Sequence, residues 1–192
     1  MFRLTDVSFS YDDKKVLKDF SLSVENGECA ALCGPSGCGK TTAAMILARL
    51  LKADSGEVTS PERISVVFQE DRLIEGFSVI KNIRLCLEEK DYPFAESLLK
   101  EVGLYEQRSK KVRELSGGMK RRASIVRAVA FGGEGLILDE AFNGIDKDNK
   151  EICAAIIKRE FIDKGKPVLL ISHSAEDINF FKCKKIDMKN GE

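Results

Sequence analysis

The sequence has no tryptophan, one histidine and four prolines, and its 31 Lys and Arg offset its 31 Asp and Glu over 192 residues. Each shortage excludes something. One histidine, His173, rules out a His-rich metal centre or a His–His relay. Any histidine chemistry within this chain falls to that residue. Zero net charge argues against the clustered, unneutralised Lys and Arg that grip nucleic acid, so no nucleic-acid partner is expected. The short basic clusters Lys110-Lys111-Val112-Arg113 and Lys120-Arg121-Arg122 read as solvated faces. No stretch reaches the ~18 uninterrupted apolar residues of a membrane span. The opening Met1 to Asp6 lacks the basic patch and apolar core of a signal peptide. A cytoplasmic chain is expected, with any membrane role exercised through partners. Cys29, Cys33, Cys38, Cys86, Cys153 and Cys183 form no C-x-x-C pair. They read as reduced thiols in the core or in loops.

What is present describes a folded domain. Hydrophobic residues make up 43% and charged residues 32% of the chain, which argues against disorder. Phe20, Leu22 and Val24 alternate with polar residues, the pattern of a half-buried strand. Asn26-Gly27 then reads as a hairpin turn, closing a two-stranded antiparallel opening lobe. Cys29 to Cys33 is a continuous apolar run, as in a buried parallel strand. A helix is expected over about 40–52, and a second buried strand over Ile64 to Phe68. Residues 78–131 are mostly helical in pattern. Gly103 ends a helix over Ala95 to Val102, and Ser116 caps another that runs to about Ala130. Gly135 to Leu138 and Val168 to Ile171 are further buried strands. Between them, Ile152, Ala155 and Ile156 give a helix its apolar face. Strands alternating with helices indicate a mostly parallel α/β sheet. One domain is expected, with its core over about 1–77 and 132–192 and a helical insertion over about 78–131.

Two motifs carry chemistry by themselves. Gly34-Pro35-Ser36-Gly37-Cys38-Gly39-Lys40-Thr41 fits G-x-x-x-x-G-K-[ST], between an apolar strand and a helix. Its glycines let backbone N–H groups curl around a phosphate. The helix that follows aims its positive end at the anion. Lys40 is expected to reach the β- and γ-phosphates, and the Thr41 hydroxyl to ligate Mg²⁺. The fold class is therefore α/β, a phosphate-loop NTPase core. Leu136-Ile137-Leu138-Asp139-Glu140 is an apolar strand ending in two acids. Asp139 is placed to bind Mg²⁺ and Glu140 to polarise a water for attack on the γ-phosphorus.

Leu115-Ser116-Gly117-Gly118-Met119 adds a third motif. With it, the chain resembles the ATP-binding cassette (ABC) ATPases, the motor subunits of ABC transporters. The resemblance runs from about Phe2 to Met188 and implies further roles. Tyr11 matches the aromatic that stacks on adenine, and Thr42 joins the phosphate-loop contacts. Gln69 matches the glutamine that contacts Mg²⁺ and the attacking water. Asp146 matches the D-loop aspartate, and His173 matches the switch histidine at the γ-phosphate. The catalytic set implied is Glu140, His173, Gln69 and Lys40, with Mg²⁺ held by Thr41, Gln69 and Asp139. Leu115 to Met119 would serve the ATP of a partner cassette, in a head-to-tail homodimer with two ATPs between the subunits. Transmembrane permease subunits and a solute-binding protein are the other implied partners, and the cytoplasmic membrane face the implied location.

Three departures stand out: Met119 in place of a usual Gln, Ala141 in place of a frequent proline, and Asn143-Gly144-Ile145-Asp146 in place of Ser-Ala-Leu-Asp. Val67-Phe68-Gln69-Glu70-Asp71-Arg72-Leu73 with the Leu115–Met119 motif is similar to the nitrate/sulfonate/taurine importer group. In such cassettes Glu70, Asp71 and Arg72 fall near the coupling helix of a membrane subunit. Export-type cassettes and non-transport soluble cassettes are the alternatives. The latter usually carry tandem cassettes or a long coiled-coil insertion, and this sequence shows neither. A nucleotide-binding regulator without hydrolysis is disfavoured by Glu140 and His173.

Overall fold

The computed structural model describes residues 1–188, so positions 189–192 of the expected core segment lie outside the described residues. The first two strands, β1 (Phe2–Tyr11) and β2 (Lys14–Val24), pair antiparallel from Phe2↔Val24 to Tyr11↔Lys14. Their turn is Asp12-Asp13, with Asp12 in the left-handed region at φ 49°. The expected hairpin at Asn26-Gly27 is therefore not one. Gly27, at φ 79°, instead turns the chain out of this sheet and into β3 (Cys29–Cys33) of another. The reason lies in burial. β2 hides Leu17, Phe20, Leu22 and Val24 on one face only, whereas Cys29 to Leu32 are all buried. A strand apolar on both faces belongs inside a parallel sheet.

Helix α1 (Lys40–Leu47) follows β3 and is shorter than expected, giving way to a turn with Arg49 at φ 59°. The chain then adds β4 (Ser55–Thr59) to the free edge of β1, so the opening lobe has three strands in the order β2-β1-β4. The second sheet is wholly parallel. Its strands β5 (Ile64–Val67), β6 (Gly135–Asp139), β7 (Val168–Ile171) and β8 (Lys184–Asp187) join β3 in the order β5-β6-β7-β3-β8. Inserted between β5 and β6 are α2 (Val79–Arg84), α3 (Tyr92–Glu101) and α4 (Gly117–Phe131). Ser116 caps α4 as expected, accepting the Met119 N–H. Helix α5 (Lys147–Ile157), continued by a π-helical turn at Lys158–Ile162, links β6 to β7, and α6 (Ala175–Phe180) links β7 to β8.

Strand alternation sorts the core into two layers. Leu136, Leu138, Val168 and Leu170 point toward the inserted helices and α5. Ile137, Leu169 and Ile171 point the other way, onto α1 and the antiparallel lobe. The apolar face of α5 is Cys153, Ala154, Ile156 and Ile157, while Ile152 and Ala155 are exposed. The expected face was out of phase by about one residue, because a helix this short offers two overlapping apolar stripes.

The expectation of unpaired thiols fails at one pair. Cys29 and Cys183 form a disulfide, with Cα atoms 4.6 Å apart. Because β3 and β8 pair with Ala30 opposite Lys184, the residue before each lies beside the other. The 154-residue separation hides this from any local reading. Cys33, Cys38, Cys86 and Cys153 are free, and burial pushes the Cys153 thiol up to about 12.

Candidate functional site

All strands of a parallel sheet end at the same edge, and ligands of such folds bind outside the carboxyl ends of the strands. That edge holds a cleft of about 380 Å³, lined among others by Tyr11, Ser36, Gly37, Gly39, Lys40, Thr41, Thr42, Gln69, Asp139, Glu140 and His173. Residues drawn from five distant stretches of sequence thus meet in one place. Tyr11 stands at the rim from the β1–β2 hairpin, half exposed and edge-on to Phe9 with ring centroids 4.8 Å apart.

The loop 34–39 connects β3 to α1. Gly39 takes φ 108°, and a Cβ there would lie 2.7 Å from the Leu17 side chain, so only glycine fits. The Lys40 ammonium donates to the carbonyls of Gly34 (2.8 Å) and Pro35 (2.9 Å). Gly34, Pro35 and Cys38 shape the loop from behind, and the Cys38 side chain is buried.

Thr41 and Asp139 converge from 98 residues apart, the Thr41 hydroxyl donating to Asp139 Oδ2 at 2.9 Å. Asp139 ends β6 and is 4% exposed. Burial raises its pKa, against the Thr41 hydrogen bond, and the neighbouring Glu140 charge raises it further. A buried carboxylate beside a hydroxyl, with the Gln69 amide lining the same cleft, is a set of hard oxygen donors. Such a set suits Mg²⁺, which binds oxygen donors through one or two carboxylates and keeps phosphate and water in its shell.

The raised pKa has a consequence for stability. The fold disfavours ionised Asp139, so stability falls as pH rises from its unfolded value near 3.8 through the higher folded value. At neutral pH the full cost stands. Asp139→Asn, which keeps the Thr41 contact, should therefore raise the Tm of the nucleotide-free chain at pH 7, by roughly 2–4 °C per kcal/mol regained. Thermal melts of both proteins at pH 4 and pH 7 check this, and the gain should shrink at the lower pH.

Glu140 takes φ 47°, a left-handed conformation that an L side chain adopts only under constraint. Its N–H bonds the Ile171 carbonyl (2.9 Å), extending the β6–β7 pairing and fixing the turn. Glu140 Oε1 lies 3.8 Å from His173 Nε2. His173 is held just beyond β7 by a local network. Ser172 donates to Asp177, the Ser174 N–H returns to the Ser172 hydroxyl, and Lys150 pairs with Asp177.

The Leu115–Met119 motif and Asp146 do not line this cleft. Gly117 faces open space at the start of α4, and a Cβ on Gly118 would lie 2.9 Å from the Gly144 carbonyl. The motif therefore packs against the 143–146 turn. Asp146 caps α5 through the Asn149 N–H (3.1 Å), and its bonds to Asn149 hold its pKa down.

Sequence reasoning missed the side chains that hold Gln69 in place. Arg121 donates to the carbonyls of Phe68 (2.7 Å) and Gln69 (2.6 Å) and pairs with Asp71. Arg127 donates to the Asp71 and Arg72 carbonyls, and the Ser124 hydroxyl to Asp71. Positions 121, 124 and 127 share one face of α4. The Lys120-Arg121-Arg122 cluster is accordingly not a solvated face: the Arg121 side chain is 11% exposed, and Arg122 donates to Val102 and Asn149. Three bonding residues at helical spacing were the available signal.

A family profile described as ABC transporter matches residues 17–143. The chain belongs to that family. It has the fold of the family's ATPase cassettes. A bacterial ABC transporter cassette solved as a dimer superposes with a TM-score of 0.89 at 25% identity, covering 100% of this chain and 96% of that one. The cassette is also similar to curated relatives. An aliphatic sulfonates import ATP-binding protein of Shouchella clausii is 32% identical over 91% of this chain and 71% of its own length. A taurine import ATP-binding protein of Pseudomonas aeruginosa is 34% identical over 94% of this chain and 76% of its own.

Proposed function

We propose that this cassette hydrolyses ATP to power import of a sulfonate-class solute through separate membrane subunits. The observation that carries the reading is the convergence of Lys40, Thr41, Gln69, Asp139, Glu140 and His173 on one cleft. A structure of a related cassette at 25% identity, described as a post-hydrolysis dimer with ADP and phosphate, supports ATP turnover. The import names of the relatives support the direction and the solute class.

In this reading the adenine stacks on Tyr11, and the phosphates sit in the loop 34–42, on its backbone N–H groups other than at Pro35, which has none. Lys40 gives up the Gly34 and Pro35 carbonyls for the β- and γ-phosphate oxygens. Mg²⁺, held by Thr41, Asp139 and Gln69, would neutralise phosphate charge. Glu140 accepts a proton from water as the water oxygen bonds the γ-phosphorus and the bond to the bridging oxygen breaks, releasing ADP and phosphate. His173 and Gln69 hold that water and the γ-phosphate in line. Ser116 to Gly118 supply the positive end of α4 to the ATP of a second copy, with Leu115 anchored in the core behind them. The cassette is one domain in this scheme, a core over about 1–77 and 132–192 with a helical subdomain over 78–131.

The same reading has the permease dock at an apolar groove. A groove of about 410 Å³ lies between the parallel sheet and the inserted helices, lined by Phe68, Arg72, Ile74 and Leu85 among others. Leu50, Ile74 and Leu85 are 54%, 48% and 58% exposed there. An apolar groove of this size suits a short amphipathic helix from a cytoplasmic loop of the membrane subunit. No helix among the described residues is long and apolar enough to cross a membrane, so contact with the bilayer would run through such a partner. Leu85→Glu should abolish co-purification with the permease while leaving basal ATPase within about twofold, since Leu85 is outside the ATP cleft. Pull-down from membranes with parallel phosphate-release assays reads both. Undiminished co-purification overturns the docking assignment.

A further inference from the structure

Asn143 stands where the resemblance predicts a serine, and the structure shows where its amide goes. Its Nδ2 donates to Glu140 Oε2 at 2.5 Å. The two residues close one tight turn, with the Asn143 N–H also on the Glu140 carbonyl (3.3 Å). Ala141 and Phe142 between them are fully buried, and Ile145 just beyond is buried as well, so the turn is anchored from below. Glu140 enters the turn at φ 47° and Gly144 leaves it at φ 77°. A side chain three residues on is thereby set at a fixed reach from the carboxylate. A hydrogen bond to a charged acceptor is among the stronger ones and fixes orientation. With Oε2 tied, the other oxygen, Oε1, is the one that faces His173.

We infer that Asn143 is a positioning residue for hydrolysis: its amide holds one oxygen of Glu140 so that the other meets the attacking water. The inference rests on the reading of Glu140 as the general base. Asn143 lies outside the set lining the ATP cleft, so it acts on chemistry and not on nucleotide binding. Its position beside Gly144, which backs Gly118, also places this restraint at the point where the turn meets the α4 motif.

The test is a double-mutant cycle on single-turnover phosphate release at saturating Mg-ATP. Asn143→Ala should lower the rate roughly 10- to 100-fold, with the ATP KM unchanged, since misplacing a catalytic group by about 1 Å costs that much. Asn143→Ser, which keeps a donor on a shorter arm, should recover part of the loss. Asn143→Asp, the same size but a like charge, should do no better than alanine. In a Glu140→Gln background, Asn143→Ala should change the residual rate less than about twofold, because the residue acts through the carboxylate. Equal losses in both backgrounds, a raised KM, or wild-type rates in Asn143→Ala would each overturn the inference. Near-wild-type turnover in Glu140→Gln alone would instead overturn the general-base reading, so the two failures are separable.

Discussion

Glu140→Gln should bind ATP with near wild-type affinity and turn it over about 10²- to 10⁴-fold more slowly, the contribution expected of a positioned general base. The amide is isosteric and lacks the basic oxygen. Its carbonyl can still accept the Asn143 amide, so the left-handed turn at 140 is retained. Lys40, Thr41 and Tyr11 are untouched, so nucleotide affinity is spared. Because the two ATPs are expected between two cassettes, blocked hydrolysis should also trap a dimer with ATP. Size-exclusion chromatography with ATP, beside phosphate release, reads both effects. Fast turnover in this variant would remove Glu140 from the chemistry.

His173→Ala should show the second-largest effect, a loss of roughly 10²-fold in the hydrolysis rate, with ATP binding largely kept. The ring sits beyond β7, half exposed and 3.8 Å from Glu140, on the far side of the carboxylate from Asn143. It contributes nothing to the buried core, so stability should hardly change. It is the sole histidine of the chain. No other imidazole can replace it. Binding of a fluorescent ATP analogue, set against single-turnover rates, separates the two roles. A variant that loses binding and rate together would make His173 a nucleotide-holding residue.

Much of this site is legible because its pieces are local. The phosphate loop is eight consecutive residues, and the apolar strand that ends in Asp139-Glu140 is seven residues or fewer from start to finish. Hydrophobic runs mark β3, β6 and β7, the interior strands of the parallel sheet, since a strand buried on both faces must be apolar throughout; β5, at the sheet edge, shows because three of its four residues are apolar. The edge strands β4 and β8 were invisible for the same reason. β4 is exposed along its whole length and β8 opens on Lys184-Lys185, so neither carries an apolar signal. Asn26-Gly27 misled because a turn dipeptide specifies a change of direction and not which strands will pair. Contacts between distant segments were hidden altogether. Arg121 looked like a solvated cation until α4 was laid against the Gln69 loop, and Cys29 had no partner until β8 settled beside β3. Asn143 was visible as a departure from the resemblance, but its bond to Glu140 depends on a backbone conformation that residue identity does not specify.

ATP hydrolysis in this cleft is expected to be harnessed to a membrane partner. The most direct measurement is phosphate release at saturating Mg-ATP by the chain assembled with its permease in vesicles. It is made with and without a sulfonate solute and its binding protein, beside the same assembly carrying Glu140→Gln. Hydrolysis should rise when solute and binding protein are added, accompanied by solute entry, and both should be lost in the variant. Hydrolysis indifferent to solute and permease, or solute entry that persists with Glu140→Gln, would contradict this coupling.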